Sequence, residues 1–293
     1  MLRWRLVLGT ALIAAMAGLC WLDAHASAPG LWLLPIALVA TVLATSELLD
    51  LLAAAGMHPI RWVVHLMNLL LVTSPWMWAS EHLLRLFIPE LMLNIGLPVF
   101  VIFVAEMCRY RKPGGNIANI AAGMFALVYV GMLLRSAVSL RLGWGVGALA
   151  SWIIVVKMGD IGAYTVGRLI GRRKMAPAIS PGKTMEGAGG ALLFACLGSW
   201  ATFYCLGTPE FHGLVLPDSI EPGPWWGWLA FGLLVGVAGL VGDLAESLLK
   251  RDVGRKDSND WLPGFGGVLD ILDSLLLSAP VACFCWATGM VGI

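Results

Sequence analysis

Asp243, Glu246, Ser247 and Lys250 stand at i, i+3, i+4 and i+7, the spacing that lines one face of a helix. A purely structural helix in such apolar surroundings would carry leucine there. Downstream, Pro263, Gly264, Phe265, Gly266 and Gly267 form a glycine-rich turn ahead of Asp270, Asp273 and Ser274. The two aspartates, three residues apart, open a helix with two carboxylates on one face. Such a pair suits a hard cation such as Mg2+, which takes few protein ligands and completes its shell with water and substrate phosphate. If the two helices pack together, Asp243, Glu246, Asp270 and Asp273 can share that ion. The same residues admit a plainer arrangement, in which Asp243 and Asp270 form interhelical salt bridges with Lys250 and Arg251. Lys256 and Asp257 follow in the loop between the helices.

A basic loop over about 168–186 carries Arg172, Arg173, Lys174, Ser180, Lys183 and Thr184. Gly182, Lys183 and Thr184 look like the end of a P-loop, but Pro177 stands where that pattern needs glycine, and a membrane helix rather than a strand precedes it. What survives is cations, hydroxyls and open amides before a helix N-terminus, where the dipole favours an anion. A basic anchor touching lipid headgroups would look the same. Asp160 and Tyr164 share a helix face behind Lys157, a weaker signal that a polar interhelical contact explains equally well.

The elements that position these groups are membrane helices. Of 293 residues, 59% are hydrophobic and only 13% charged, against about 25% charged in a soluble domain. That excludes a soluble enzyme and a disordered chain. The net charge of +1 supplies no basic field for nucleic acid. A helix needs about 20 apolar residues to span a bilayer. The sequence predicts nine spans, at 6–22, 31–55, 60–78, 88–107, 116–134, 145–167, 187–207, 226–247 and 267–290. Glu47, Asp50 and Glu90 interrupt the second and fourth. Arg3 and Arg5, the first apolar run and Ala24, His25 and Ala26 also outline a signal peptide, but that run is longer than the usual 7–15 residues. A retained helix is expected.

With the N-terminus inside, every Lys and Arg except Arg85, Arg135, Arg141 and Lys157 falls on the cytoplasmic side, as the positive-inside rule requires. The outer loop from Gly207 to Pro224 carries Glu210, Asp218 and Glu221 and no cation. Trp21, Trp32, Trp76, Trp78, Trp144, Trp225 and Trp226 fall near outer ends, as an interfacial belt would. The expected fold is thus an all-α integral membrane protein with a cytoplasmic N-terminus and an external C-terminus. It is a single polytopic domain, with variable spans over 1–150 and the chemistry over 151–293. The six cysteines lack ligand spacing and read as small buried hydrophobes. An ionisable residue inside a span costs about 2.5–3.5 kcal/mol or more, so the polar groups above are functional candidates.

Taken together, the last three polar clusters resemble the phosphatidate cytidylyltransferase (CDP-diacylglycerol synthase) family. Ser247, Lys250, Arg251, Lys256, Asp257, Pro263, Gly264, Gly266, Gly267, Asp270, Asp273 and Ser274 follow its C-terminal pattern in order, and the runs at 160–164 and 180–184 are also similar to family segments. The similarity covers about 155–280. Two positions depart: the family His is Phe265 and the family Arg is Ile271. The resemblance implies transfer of CMP from CTP to phosphatidic acid, with release of pyrophosphate, at the cytoplasmic face of a bacterial inner membrane. It implies Mg2+, alone or with a second cation, and a homodimer. In the roles expected, Asp243 and Asp270 hold Mg2+ with Asp273 and Glu246 beside them. Lys183, Lys250 and Arg251 bind phosphates, Ser180 and Thr184 donate hydrogen bonds to phosphate, Ser247 belongs to the substrate-binding set, Lys256 and Asp257 shape the loop, and Asp160 and Tyr164 support the cavity wall. Two other classes stay open: a cytidylyltransferase-like protein with another lipid acceptor or no activity, and a secondary transporter. Carriers, however, commonly bind near the bilayer midplane, whereas these charges gather at helix ends.

Overall fold

A computed structural model describes residues 2–78, 92–208, 223–259 and 266–292. Pro263, Gly264 and Phe265 of the glycine-rich turn, Arg85, Glu90 and the acidic residues of the 207–224 loop lie outside the described residues. In chain order the helices are α1 (Leu2–Ala24), α2 (Leu33–Ala54), α3 (Arg61–Trp78) and, after a π-helical turn at Met92–Gly96, α4 (Leu97–Arg109). Then come α5 (Asn116–Ala126), a second π turn (Leu127–Met132) and α6 (Leu133–Ile170). A two-stranded hairpin, β1 (Lys174–Ala176) and β2 (Ser180–Thr184), leads into α7 (Met185–Leu206), α8 (Trp225–Asp252) and α9 (Val268–Ala287).

Five described helices are long and apolar enough to cross a membrane: α2, the continuous run Asn116–Ile170, α7, α8 and α9. The protein is an all-α integral membrane protein. The 55-residue run breaks at Gly145, whose φ of 86° lies in the left-handed region that favours glycine. Residues 116–144 and 146–170 are therefore separate helical segments. α3, with Arg61, His65 and Asn68 along its 18 residues, and the 13-residue α4 fall short of that membrane-crossing standard.

The basic loop after α6 is a hairpin rather than the plain loop expected from sequence. β1 and β2 run antiparallel, with Lys174 opposite Thr184 and Ala176 opposite Ser180. Arg173 O accepts the Met185 N–H at 2.8 Å, which ties the hairpin base to the start of α7. Thr184 caps that helix, its Oγ1 accepting from Gly187 N at 3.1 Å. The Glu186 carboxylate reaches back to the Arg172 and Arg173 amides.

Small residues let the helices approach closely, as is common in lipid. A side chain at Gly162 would meet the Gly190 carbonyl at 2.4 Å, fixing α6 against α7. Two apolar cores result. One gathers Trp152, Val155, Phe203, Phe231, Val235 and Trp286; the other gathers Leu48, Leu51, Val63, Val64, Leu269 and Leu276. Leu272 touches both, so α9 lies where the N-terminal and C-terminal helices meet. Residue 23 is pinned to this body: buried Asp23 pairs with Arg141 at 2.5 Å and accepts the Trp32 amide at 2.9 Å. The cysteines are free, as their spacing suggests, but Cys108 and Cys205 are exposed rather than buried. On an apolar membrane helix, a surface position costs a thiol little.

Candidate active site

α8 and α9 touch at Gly242, where an added Cβ would lie 2.5 Å from the Asp273 carbonyl oxygen. Only glycine allows that approach, and it brings Asp243, the next residue, beside the first turns of α9. Asp243 faces the hairpin: Lys183 Nζ lies 2.6 Å from its Oδ2. Arg251, near the other end of the same stripe, donates from Nε to the Ile179 carbonyl at 3.2 Å and from Nη1 to the Arg255 carbonyl at 3.0 Å. The basic hairpin and the acidic helix end, read separately in the sequence, are thus one structural unit.

Asp270 sits in a second polar group, one helical turn away from Asp273. Lys250 pairs with both Asp270 and Glu246. Asp270 Oδ2 also accepts from Gly267 N at 2.8 Å, Ser258 N at 2.9 Å and Ser258 Oγ at 2.7 Å. Glu246 is completely buried, and apart from its ion pair with Lys250 neither of its oxygens accepts a hydrogen bond. The salt-bridged arrangement is therefore present in part. Lys250 holds Asp270 as that reading has it, whereas Asp243 pairs with Lys183, and Arg251 bonds to carbonyls.

Glu47 of α2 completes this group. It is 3% exposed. Its Oε1 accepts from Val268 N at 2.9 Å; its Oε2 accepts from Leu269 N at 2.8 Å and lies 2.8 Å from Ser258 Oγ, whose one proton it shares with Asp270. A carboxylate on one helix satisfies the orphan amides that open another. Any side chain at Gly267 would collide with Glu47 Oε2, 2.2 Å from the Cβ position.

Asp273 lies between the two groups. Its Oδ1 accepts its neighbour Ser274 N at 2.5 Å, and among the described residues it forms no ion pair. Asp243, Lys157 and Asp160 are within electrostatic reach of it. Lys157 pairs with Asp160 at 2.9 Å, and Ser274 Oγ lies 3.3 Å from the same Asp160 oxygen. Asp160 therefore joins the site from α6. Tyr164 stands apart on the exposed surface: Arg168 stacks 5.8 Å over its ring and donates to its hydroxyl at 2.7 Å. Lys256 and Asp257 are exposed, Ser180 and Ser247 half-buried. Thr184 is buried against Gly167 and Gly171 as the cap of α7.

A model of the cytidylyltransferase family matches residues 4–288. This chain belongs to the cytidylyltransferase family. The uncharacterized protein YnbB of Escherichia coli is 32% identical over 65% of the chain and 61% of its own length. The phosphatidate cytidylyltransferase of Synechocystis is 30% identical over 81% of the chain and 82% of its length. That of Pseudomonas aeruginosa is 38% identical over 49% of each. The alignments thus span from about half to about four-fifths of these relatives. Mg2+ is the ion that the sequence pattern implies, and the donor set can be tested for it. Asp243 and Asp273 are hard oxygen donors on helices in contact; Asp243 shares its charge with Lys183, itself a phosphate-binding candidate, and Asp273 has no cation partner among the described residues. They fit. Asp270 and Glu246 are already matched by Lys250. Among the described residues no three His, Cys, Asp or Glu side chains form a ligand cluster.

Sequence reasoning missed Glu47 and Ser258 as members of the site. The signal for Glu47 was visible, since a carboxylate inside an apolar span is a functional suspect by default. Its partner α9 lies more than two hundred residues downstream, a distance at which spacing carries no information. For Ser258, one hydroxyl in a polar loop, there was no comparable signal.

Proposed function

We propose that this chain transfers CMP from CTP to the phosphate of phosphatidic acid, giving CDP-diacylglycerol and pyrophosphate, at the cytoplasmic face of a bacterial inner membrane. The observation that carries the reading is the meeting of Lys183 with Asp243 on α8, against the Asp273 turn of α9. Family membership and the named relatives support it. The nine-span topology, with the N-terminus inside, belongs to the same proposal and rests on the distribution of Lys and Arg.

The reaction must bring a nucleoside triphosphate and a lipid phosphate together despite their mutual repulsion. A lipid phosphate oxygen forms a bond to the α-phosphorus of CTP, and the α–β bridging bond breaks, with its electron pair leaving on pyrophosphate. The acceptor is already an anion, since the second pKa of a phosphate monoester is about 6. No general base is needed, so the reaction tolerates Phe265 in place of the family His. Lys183, on a hairpin at the end of the bundle, neutralises phosphate charge and orients the triphosphate. Arg251 holds hairpin and helix end together. Asp243 and Asp273 would hold Mg2+, which when bound polarises phosphoryl oxygens and screens their charge. Lys250, Glu246, Asp270, Ser258 and Glu47 fix the end of α8 and the start of α9, so that the two carboxylates stay in register. Catalysis by positioning of this kind loses rate steeply when the groups shift by about 1 Å.

Purified chain, phosphatidic acid, Mg2+ and CTP labelled at its α-phosphate should give a labelled lipid. CTP-independent uptake of a solute into vesicles would support a carrier instead.

A further inference from the structure

A cavity of about 590 Å³ opens between α2, α3 and α4, apart from every residue of the site above. Glu47, lower on α2, bonds to the first amides of α9, so this cavity lies at the same end of the bundle as the polar loops. His58, Arg61 and Arg109 form its polar wall; Leu49, Ile60 and Trp62 contribute to its apolar one. Arg109 is set in place by a 2.8 Å bond to the His58 carbonyl. Arg61 pairs with Asp50 at 2.6 Å, with both side chains about half exposed, and an exposed pair of that kind is worth little and exchanges readily for another anion. Glu106 lies buried beneath, 3.7 Å from Arg109. Arg111 and Lys112 follow in an exposed turn, so cations outnumber the two carboxylates around the mouth. The flanking surface is apolar: Trp62 is 67% exposed, and Leu66, Phe103 and Met107 face outward with it.

We propose that this cavity holds the headgroup of an anionic phospholipid, with phosphate on Arg61 and Arg109 and acyl chains along the apolar faces of α3 and α4. Basic pockets between membrane helices at a charged interface bind such headgroups. A free phosphate matches the arginines but leaves the apolar wall and the outward tryptophan without a partner. A lipid satisfies both. Its occupancy braces α2, the helix whose Glu47 holds the start of α9.

Native mass spectrometry of the full chain, released from nanodiscs of phosphatidylglycerol or phosphatidylcholine, tests this without CTP. The unaltered chain should retain one phosphatidylglycerol and no phosphatidylcholine, and inorganic phosphate should not displace the lipid. Retention should fall at least tenfold in the Arg61→Gln/Arg109→Gln double variant. It should fall equally in Ala105→Phe, which fills the cavity without altering either arginine. Undiminished retention in both variants, equal retention of phosphatidylcholine, displacement by phosphate, or no retained lipid at all would overturn the proposal. Because no turnover is read, its failure leaves the transfer reading untouched, and failure of that reading leaves the lipid site standing.

Discussion

Glu47 on α2 and Leu269 on α9 are joined by a 2.8 Å hydrogen bond from the Leu269 amide to a buried carboxylate oxygen. The bond ties the N-terminal helices to the turn that starts the candidate site. Replacing Glu47 by Gln puts an NH2 group against an N–H or hydroxyl donor, a mismatch that costs about 1–3 kcal/mol when buried. Glu47→Gln should lower kcat for CTP consumption by about tenfold to a hundredfold, with a small change in the KM for CTP. A change in KM alone would assign Glu47 to nucleotide binding instead.

Lys183 reaches Asp243 from the hairpin with its ammonium buried; as a group that neutralises phosphate charge, its loss should weaken binding more than it slows turnover. Lys183→Ala is expected to raise the KM for CTP by about tenfold, the scale of one charge-assisted hydrogen bond. Steady-state kinetics at varied CTP and fixed lipid would read the change. Lys183→Arg should recover part of it.

The contact between Gly242 and Asp273 is steric. Gly242→Ala places a methyl group 2.5 Å from a backbone oxygen, and overpacking of this order costs about 1–3 kcal/mol. The helices must part, carrying Asp243 away from Asp273. The variant should insert and stay monodisperse by size exclusion while losing most of its transfer activity. Unchanged activity would show that the helix spacing at this point is not critical.

At the opposite side of the fold problem stands the Asp23–Arg141 pair, buried and remote in sequence. Removing one partner strands the other charge, at a cost of about 3–5 kcal/mol. Arg141→Ala should lower the midpoint of thermal unfolding in detergent. Asp23→Asn/Arg141→Gln should recover part of the loss.

Much of the fold was legible because lipid demands long apolar helices: α2, α7, α8 and α9 lie where hydropathy puts them. Gly145 was harder to read. Residues 116–134 and 145–167 stand out as two spans, yet the helix continues through to a single glycine break at their junction. The hairpin was unreadable because its strands are three and five residues long and contain Pro181. In the site, spacing revealed the face shared by Asp243, Glu246 and Lys250 and the pair Asp270 and Asp273. It did not reveal partners. Lys183 lies in a different loop from Asp243, and Lys250 takes Asp270 and Glu246 for itself. Which cation meets which carboxylate depends on how helices pack, and a linear pattern does not encode that.

The most direct test is a comparison of Asp243→Asn, Asp273→Asn and the unaltered chain in one assay, with CTP labelled at its α-phosphate, phosphatidic acid vesicles and Mg2+. The account predicts a labelled lipid from the unaltered chain, lost on chelation of the metal. Each Asn variant should fall by a hundredfold or more while remaining folded in the membrane. A labelled lipid formed at the parental rate by either variant would contradict it.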